Sequence, residues 1–164
     1  MTPEATRKTV PGTTPAELER LSRRLVDSYN KEDELYKSVL KLTELQHANL
    51  DGSGEVRDFI TLLHQKEDLI RAIDKIEVQL DADKAKWVQI PDDQKGPCNA
   101  ELNSMLDDII FTIEKIMRLE QENEELLKTR KDSIEQELEA IRRGRKAAEA
   151  YDPKKDAKLI STIT

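Results

Sequence analysis

The chain has 164 residues, a formal net charge of -7, 37% charged, 37% hydrophobic and only 4% aromatic residues. That length suits one domain, and the charge excess over the usual 25% or so suits helices with wide solvated faces and narrow apolar seams, not a thick spherical core. The negative balance argues against nucleic acid as a partner; the single cysteine, Cys98, excludes an intramolecular disulfide and a paired-thiol zinc site.

Residues 1–13, rich in Thr, Pro and Gly, carry no apolar periodicity and read as a disordered leader without the hydrophobic centre of a signal peptide. Thr14, Pro15 and Glu17 then combine an N-cap hydroxyl, a proline at the first helical position and the acidic member of a capping box. From there Leu18, Leu21, Leu25, Tyr29, Glu32, Tyr36, Val39 and Leu42 recur at three- and four-residue steps, which predicts a helix over about 15–49. Asp51 to Gly54 form a turn whose glycines can take the left-handed conformation that ends a helix. A second stripe of Val56, Phe59, Ile60, Leu63, Leu69, Ile70, Ile73, Ile76 and Leu80 predicts a helix over about 55–84, antiparallel to the first across a short connection.

Between Ala85 and Pro97 the periodicity is lost, and Pro91, Gly96 and Pro97 predict a loop. Trp87 is its apolar anchor, closing the end of the bundle or, alternatively, meeting a client. Asn99 can cap a third helix over about 99–151, whose seam of Leu102, Met105, Leu106, Ile109, Ile110, Ile113, Ile116 and Met117 is the densest in the chain. The row continues through Leu119, Asn123, Leu126, Leu127, Ile134, Leu138 and Ile141 while the residues between become charged, so this half is expected to be only partly covered. Arg142, Arg143, Arg145 and Lys146 read as a cationic last turn that complements the helix dipole, with anion binding as the alternative. Gly144 weakens the helix, Pro153 stops it, and 152–164 reads as a flexible tail in which Leu159, Ile160 and Ile163 order only against a partner. The predicted fold is therefore all-α: an elongated antiparallel hairpin plus a long third helix, between a disordered leader and a mobile tail.

No chemistry is legible. His47 and His64 are the only histidines, and neither belongs to a nucleophile-base constellation. Glu44 with His47 has the spacing of half a di-iron site, but Ile60 stands where the second pair would need its glutamate. Phosphate-cradling, dinucleotide and zinc-protease motifs are absent, and no apolar run approaches the roughly 20 residues needed to cross a bilayer. The expectation is a cytoplasmic protein that is not an enzyme, holds no cofactor or metal and inserts into no membrane. Its excess of amphipathic seam points to helix-in-groove binding of another protein.

One family shares this pattern. Glu34-Leu35-Tyr36, Leu40 and Glu44 in the first helix, Asp58, Leu62, Leu63, Lys66-Glu67, Leu69-Ile70, Ile73 and Glu77 in the second, and Ile109, Ile113, Leu119, Asn123 and Leu126-Leu127 in the third, with Tyr151 near the end, resemble the FlgN family of flagellar export chaperones over roughly Ala16 to Tyr151. The resemblance implies that the partners are hook-filament junction proteins and the type III export apparatus, and that a client helix docks on the C-terminal part of the third helix and the tail. The protein-binding residues expected on that basis are Leu127, Ile134, Leu138, Ile141, Tyr151, Leu159 and Ile160. The alternative is a structural or adaptor coiled coil that carries no client, in which the same seam forms a homodimer and Asn123 sets its register.

Overall fold

The computed structural model describes residues 13–151, so the predicted tail and, except for Thr13, the predicted leader lie outside the described residues. The chain folds as an all-α bundle of three long helices, α1 (Pro15–Asp51), α2 (Val56–Val88) and α3 (Cys98–Tyr151), with a short 3-10 turn at Asp92–Gln94. It divides into two compact units, one up to Gln121 and one from Glu122.

The capping box forms at the start of α1. The Thr14 hydroxyl accepts from the Glu17 amide at 3.2 Å, and the Glu17 carboxylate accepts from the Thr14 amide at 3.1 Å, satisfying two otherwise orphaned donors. The far end of α1 departs from expectation: Gly52 has φ -102°, not a left-handed value, and its amide simply closes a last bond of 3.1 Å to the Ala48 carbonyl. Glycine is needed at position 54 for space instead, because a Cβ there would lie 2.8 Å from the Asn49 carbonyl oxygen. The Asn49 side-chain amide donates across this turn to the Glu55 carbonyl at 3.3 Å.

The predicted loop starts too early. α2 continues to Val88, so Trp87 is helical, and it is buried because it lies seven residues beyond Leu80 on the same face. The left-handed residue of the chain's connections is Gly96, at φ +67°. α3 then begins at Cys98, which puts Asn99 inside its first turn and not at the cap. The helix runs unbroken through Gly144. Because it reaches Tyr151, the basic cluster from Arg142 to Lys146 stands ahead of the last turn and is not the predicted cationic last turn; the helix dipole is weaker there.

Cross-links order the first unit. Arg24 pairs with Asp83 at 3.2 Å, the Tyr36 hydroxyl donates to Glu77 at 3.4 Å, and Lys66 donates to Gln46 at 2.7 Å, so rising numbers in α1 meet falling numbers in α2. The hairpin is antiparallel. Its apolar core joins Leu21, Leu25 and Tyr29 of α1, Leu80 and Trp87 of α2, Ile90, and Leu102 and Ile109 of α3.

Along α2 the buried positions are Lys66, Ile73, Leu80 and Trp87, one every seven residues. A helix that turns the same narrow strip to its neighbours over this length covers only that strip. Ile60, Leu63 and Ile70 of the predicted second stripe are therefore exposed, as are Ile110 and Met117 of the predicted core seam in α3. Toward the other end of α1 the seam becomes polar: Thr43 and Gln46 are buried where the sequence pattern had pointed to Leu42, which is half-buried. There Lys66, 3% exposed, joins three helices, donating to Gln46 of α1 and pairing with Glu120 of α3.

Glu32 is a third buried polar residue in the α1 seam, beside Thr43 and Gln46, and its Oε2 has no hydrogen-bond partner. Burial pushes its carboxyl above the ordinary glutamate range, the nearby Glu77 adds to this, and Lys84 opposes it. The folded chain thus holds the Glu32 proton more tightly than the unfolded chain. The stability this contributes is fully present below the ordinary glutamate value of about 4.3 and is lost as pH rises through the raised value. Glu32→Gln is accordingly expected to raise the melting temperature at pH 7, with a smaller gain at pH 4.5. Thermal melts followed by circular dichroism at the two pH values check this; an equal gain at both would remove Glu32 as the titrating group.

Candidate protein-binding surface

The second unit is the part of α3 from Glu122. Asn123 is 2% exposed and Leu126 and Arg130 are half-buried, but from Lys131 to Ala150 every residue is exposed. Within this stretch Ile134, Leu138 and Ile141, and Leu127 before it, follow at steps of seven, four and three, which sets them on one face of the helix. Their exposures are 39% for Leu127, 48% for Ile134 and Leu138, and 62% for Ile141. Tyr151 ends the described part of α3, and its side chain is not described; Leu159 and Ile160 lie outside the described residues.

A helix with no covered face is marginal in water, and what supports this one locally is charge. Glu139 and Arg143 pair at 3.5 Å, and Lys131 and Glu135 at 3.9 Å, each a solvated i,i+4 contact worth a few tenths of a kcal/mol. Gly144 has open space where a Cβ would stand, so it offers the helix no packing in return for its flexibility. The row of apolar side chains is therefore a surface that any covering helix would stabilise.

The first unit carries exposed apolar side chains that the sequence had assigned to its core or passed over. Phe111 is 54% exposed, with the Lys115 ammonium 4.4 Å from its ring centre, and Val56, Ile60 and Ile70 are exposed on α2. The available signal was the double row in α3, where Ile109 with Ile110 and Ile116 with Met117 exceed what one seam can bury.

The two histidines lie on different helices. His47 is half-buried on α1 and His64 exposed on α2, and among the described residues no three His, Cys, Asp or Glu side chains are grouped so as to hold a metal ion. Cys98 is half-buried, and burial raises its thiol pKa against the opposing hydrogen bond from Ser22, the opposite of what an activated nucleophile needs. Among the described residues no helix is long and apolar enough to cross a membrane.

Comparison with curated proteins and with solved structures returns no match. A family model described as FlgN protein matches residues 21–158.

Proposed function

The chain belongs to the FlgN family, and from that premise we propose that it is a cytoplasmic flagellar export chaperone whose clients are hook-filament junction proteins. The client's helical terminus lies along α3 on the face of Leu127, Ile134, Leu138 and Ile141, with Tyr151, Leu159 and Ile160 as further contacts. Binding keeps the client from assembling early and presents it to the type III export apparatus. No bond is made or broken; the work is burial of apolar surface on both partners.

The observation that carries this reading is the stretch from Lys131 to Ala150, exposed at every residue, with Ile134, Leu138 and Ile141 on one face. Helix-in-groove binding needs such a row at three- and four-residue steps, and the charged residues beside it keep the free protein from collapsing onto itself.

Full-length protein and a version ending at Ala150 are the test, each mixed with purified hook-filament junction protein and followed by calorimetry. Binding by the full chain, weakened in the shorter one, is the expected result. If neither binds and both sediment as tight dimers, the seam is a self-association surface and the chain an adaptor coiled coil.

A further inference from the structure

A cleft of about 360 Å³ lies in the first unit, between the C-terminal end of α2, the connection that follows it and the first turns of α3. Leu25, Leu102 and Leu106 give it an apolar lining, and Tyr29 and Trp87 contribute aromatic rings. A lysine stands over each ring: the Lys84 ammonium is 5.6 Å from the Tyr29 centroid and the Lys95 ammonium 5.6 Å from that of Trp87. These are cation-π distances, and they hold two positive charges at the rim of an apolar hollow in a chain of net charge -7.

The two cations differ in what they already have. Lys95 pairs with Asp92 at 2.9 Å, and its side chain is only 10% exposed. Lys84 has no hydrogen-bonded carboxylate among the described residues; it acts on Glu32 through its field alone. A carboxylate arriving in the cleft would give Lys84 a direct hydrogen-bonded ion pair and would compete with Asp92 for Lys95.

The lining also fixes the shape of the ligand. Asn99, Leu102, Asn103 and Leu106 make an i, i+3, i+4, i+7 row on α3. Such a row is about 10 Å long, the span of roughly three residues of extended chain. Alternating amide and leucine side chains along that row offer hydrogen bonds to a peptide backbone and contacts to its side chains, which a compact small molecule would use only in part. The chain's own first residues are poor candidates, since Arg7 and Lys8 against Glu4 would bring further positive charge to the lysines.

We infer that this cleft binds an acidic segment of a partner protein, with an apolar side chain in the hollow and a neighbouring carboxylate on Lys84. The site is independent of the α3 face from Leu127 onward and of the export reading.

Trp87 is the only tryptophan, so its fluorescence reports on the cleft directly. The probe is a blocked tetrapeptide of glutamate, phenylalanine, leucine and aspartate, titrated into the full chain beside the same peptide with glutamine and asparagine in place of the acids. Saturable binding is expected, tighter for the acidic peptide by about fivefold or more, the size of one charge-assisted contact at a partly exposed site. Lys84→Gln should abolish that preference, Lys84→Arg should keep it, and Asp92→Asn, by releasing Lys95, should strengthen it. Equal affinity for the two peptides, no saturable change, or a preference that survives Lys84→Gln would overturn the proposal. Binding of 3-phenylpropanoate without binding of the peptide would overturn it in favour of a small-carboxylate site.

Discussion

Lys66→Ala is expected to lower the unfolding free energy by about 3 kcal/mol, the low end of the range for breaking a buried ion pair. The low end applies because Glu120, whose side chain is 45% exposed, can return to water once its partner is gone. Gln46 cannot: it is 1% exposed, its Nε2 already lacks a partner, and losing the 2.7 Å bond from Lys66 would orphan its Oε1 as well. The lost aliphatic stem adds a packing term, since lysine covers apolar surface with its methylenes. Lys66→Met combined with Gln46→Leu should recover most of the loss, because an apolar pair of similar volume leaves nothing unsatisfied. Urea unfolding followed by circular dichroism measures all three proteins. A loss below about 1 kcal/mol for Lys66→Ala would mean that Gln46 rehydrates freely and that this polar layer is not closed to water.

The same layer shows what the sequence could and could not reveal. Three helices, the capping box at Thr14 and the rough turn positions follow from local rules: hydroxyl, proline and glutamate at fixed offsets, and apolar steps of three and four. Lys66 was invisible to those rules. A lysine in an apolar row reads as a solvated interruption, and only the approach of Gln46 from α1 and Glu120 from α3 makes its burial tolerable. Trp87 shows the converse. The charged residues around it hid its seven-residue step from Leu80, so a helical core residue looked like a loop anchor. Ile60, Leu63, Ile110 and Met117 fit the apolar stripes yet are exposed, since periodicity counts apolar residues on a face and not how wide a strip the neighbours cover. The row of Leu127, Ile134, Leu138 and Ile141 was legible as a pattern. Its exposure depends on which side chains stand beside it, and that is a tertiary property.

Exposure also sets the size of the effect expected when that row is changed. In the double variant Ile134→Gln with Leu138→Gln, glutamine keeps the helix propensity close to that of leucine, so the helix itself should survive. Both side chains are 48% exposed in the free protein, so a client docking on this face would remove only about half of each from water. Half of the roughly 1.5–3 kcal/mol for full burial, taken twice, weakens client binding by about 1.5–3 kcal/mol, or roughly 10- to 150-fold. The melting temperature should stay nearly unchanged, since substitutions at exposed positions are usually worth within about 0.5 kcal/mol. Calorimetry with purified hook-filament junction protein, beside thermal melts of the free variant, separates the outcomes. An unchanged affinity would remove this face from the client site. A fall of many degrees in melting temperature would show instead that Ile134 and Leu138 are already covered in solution by a second copy, making the row a dimer seam.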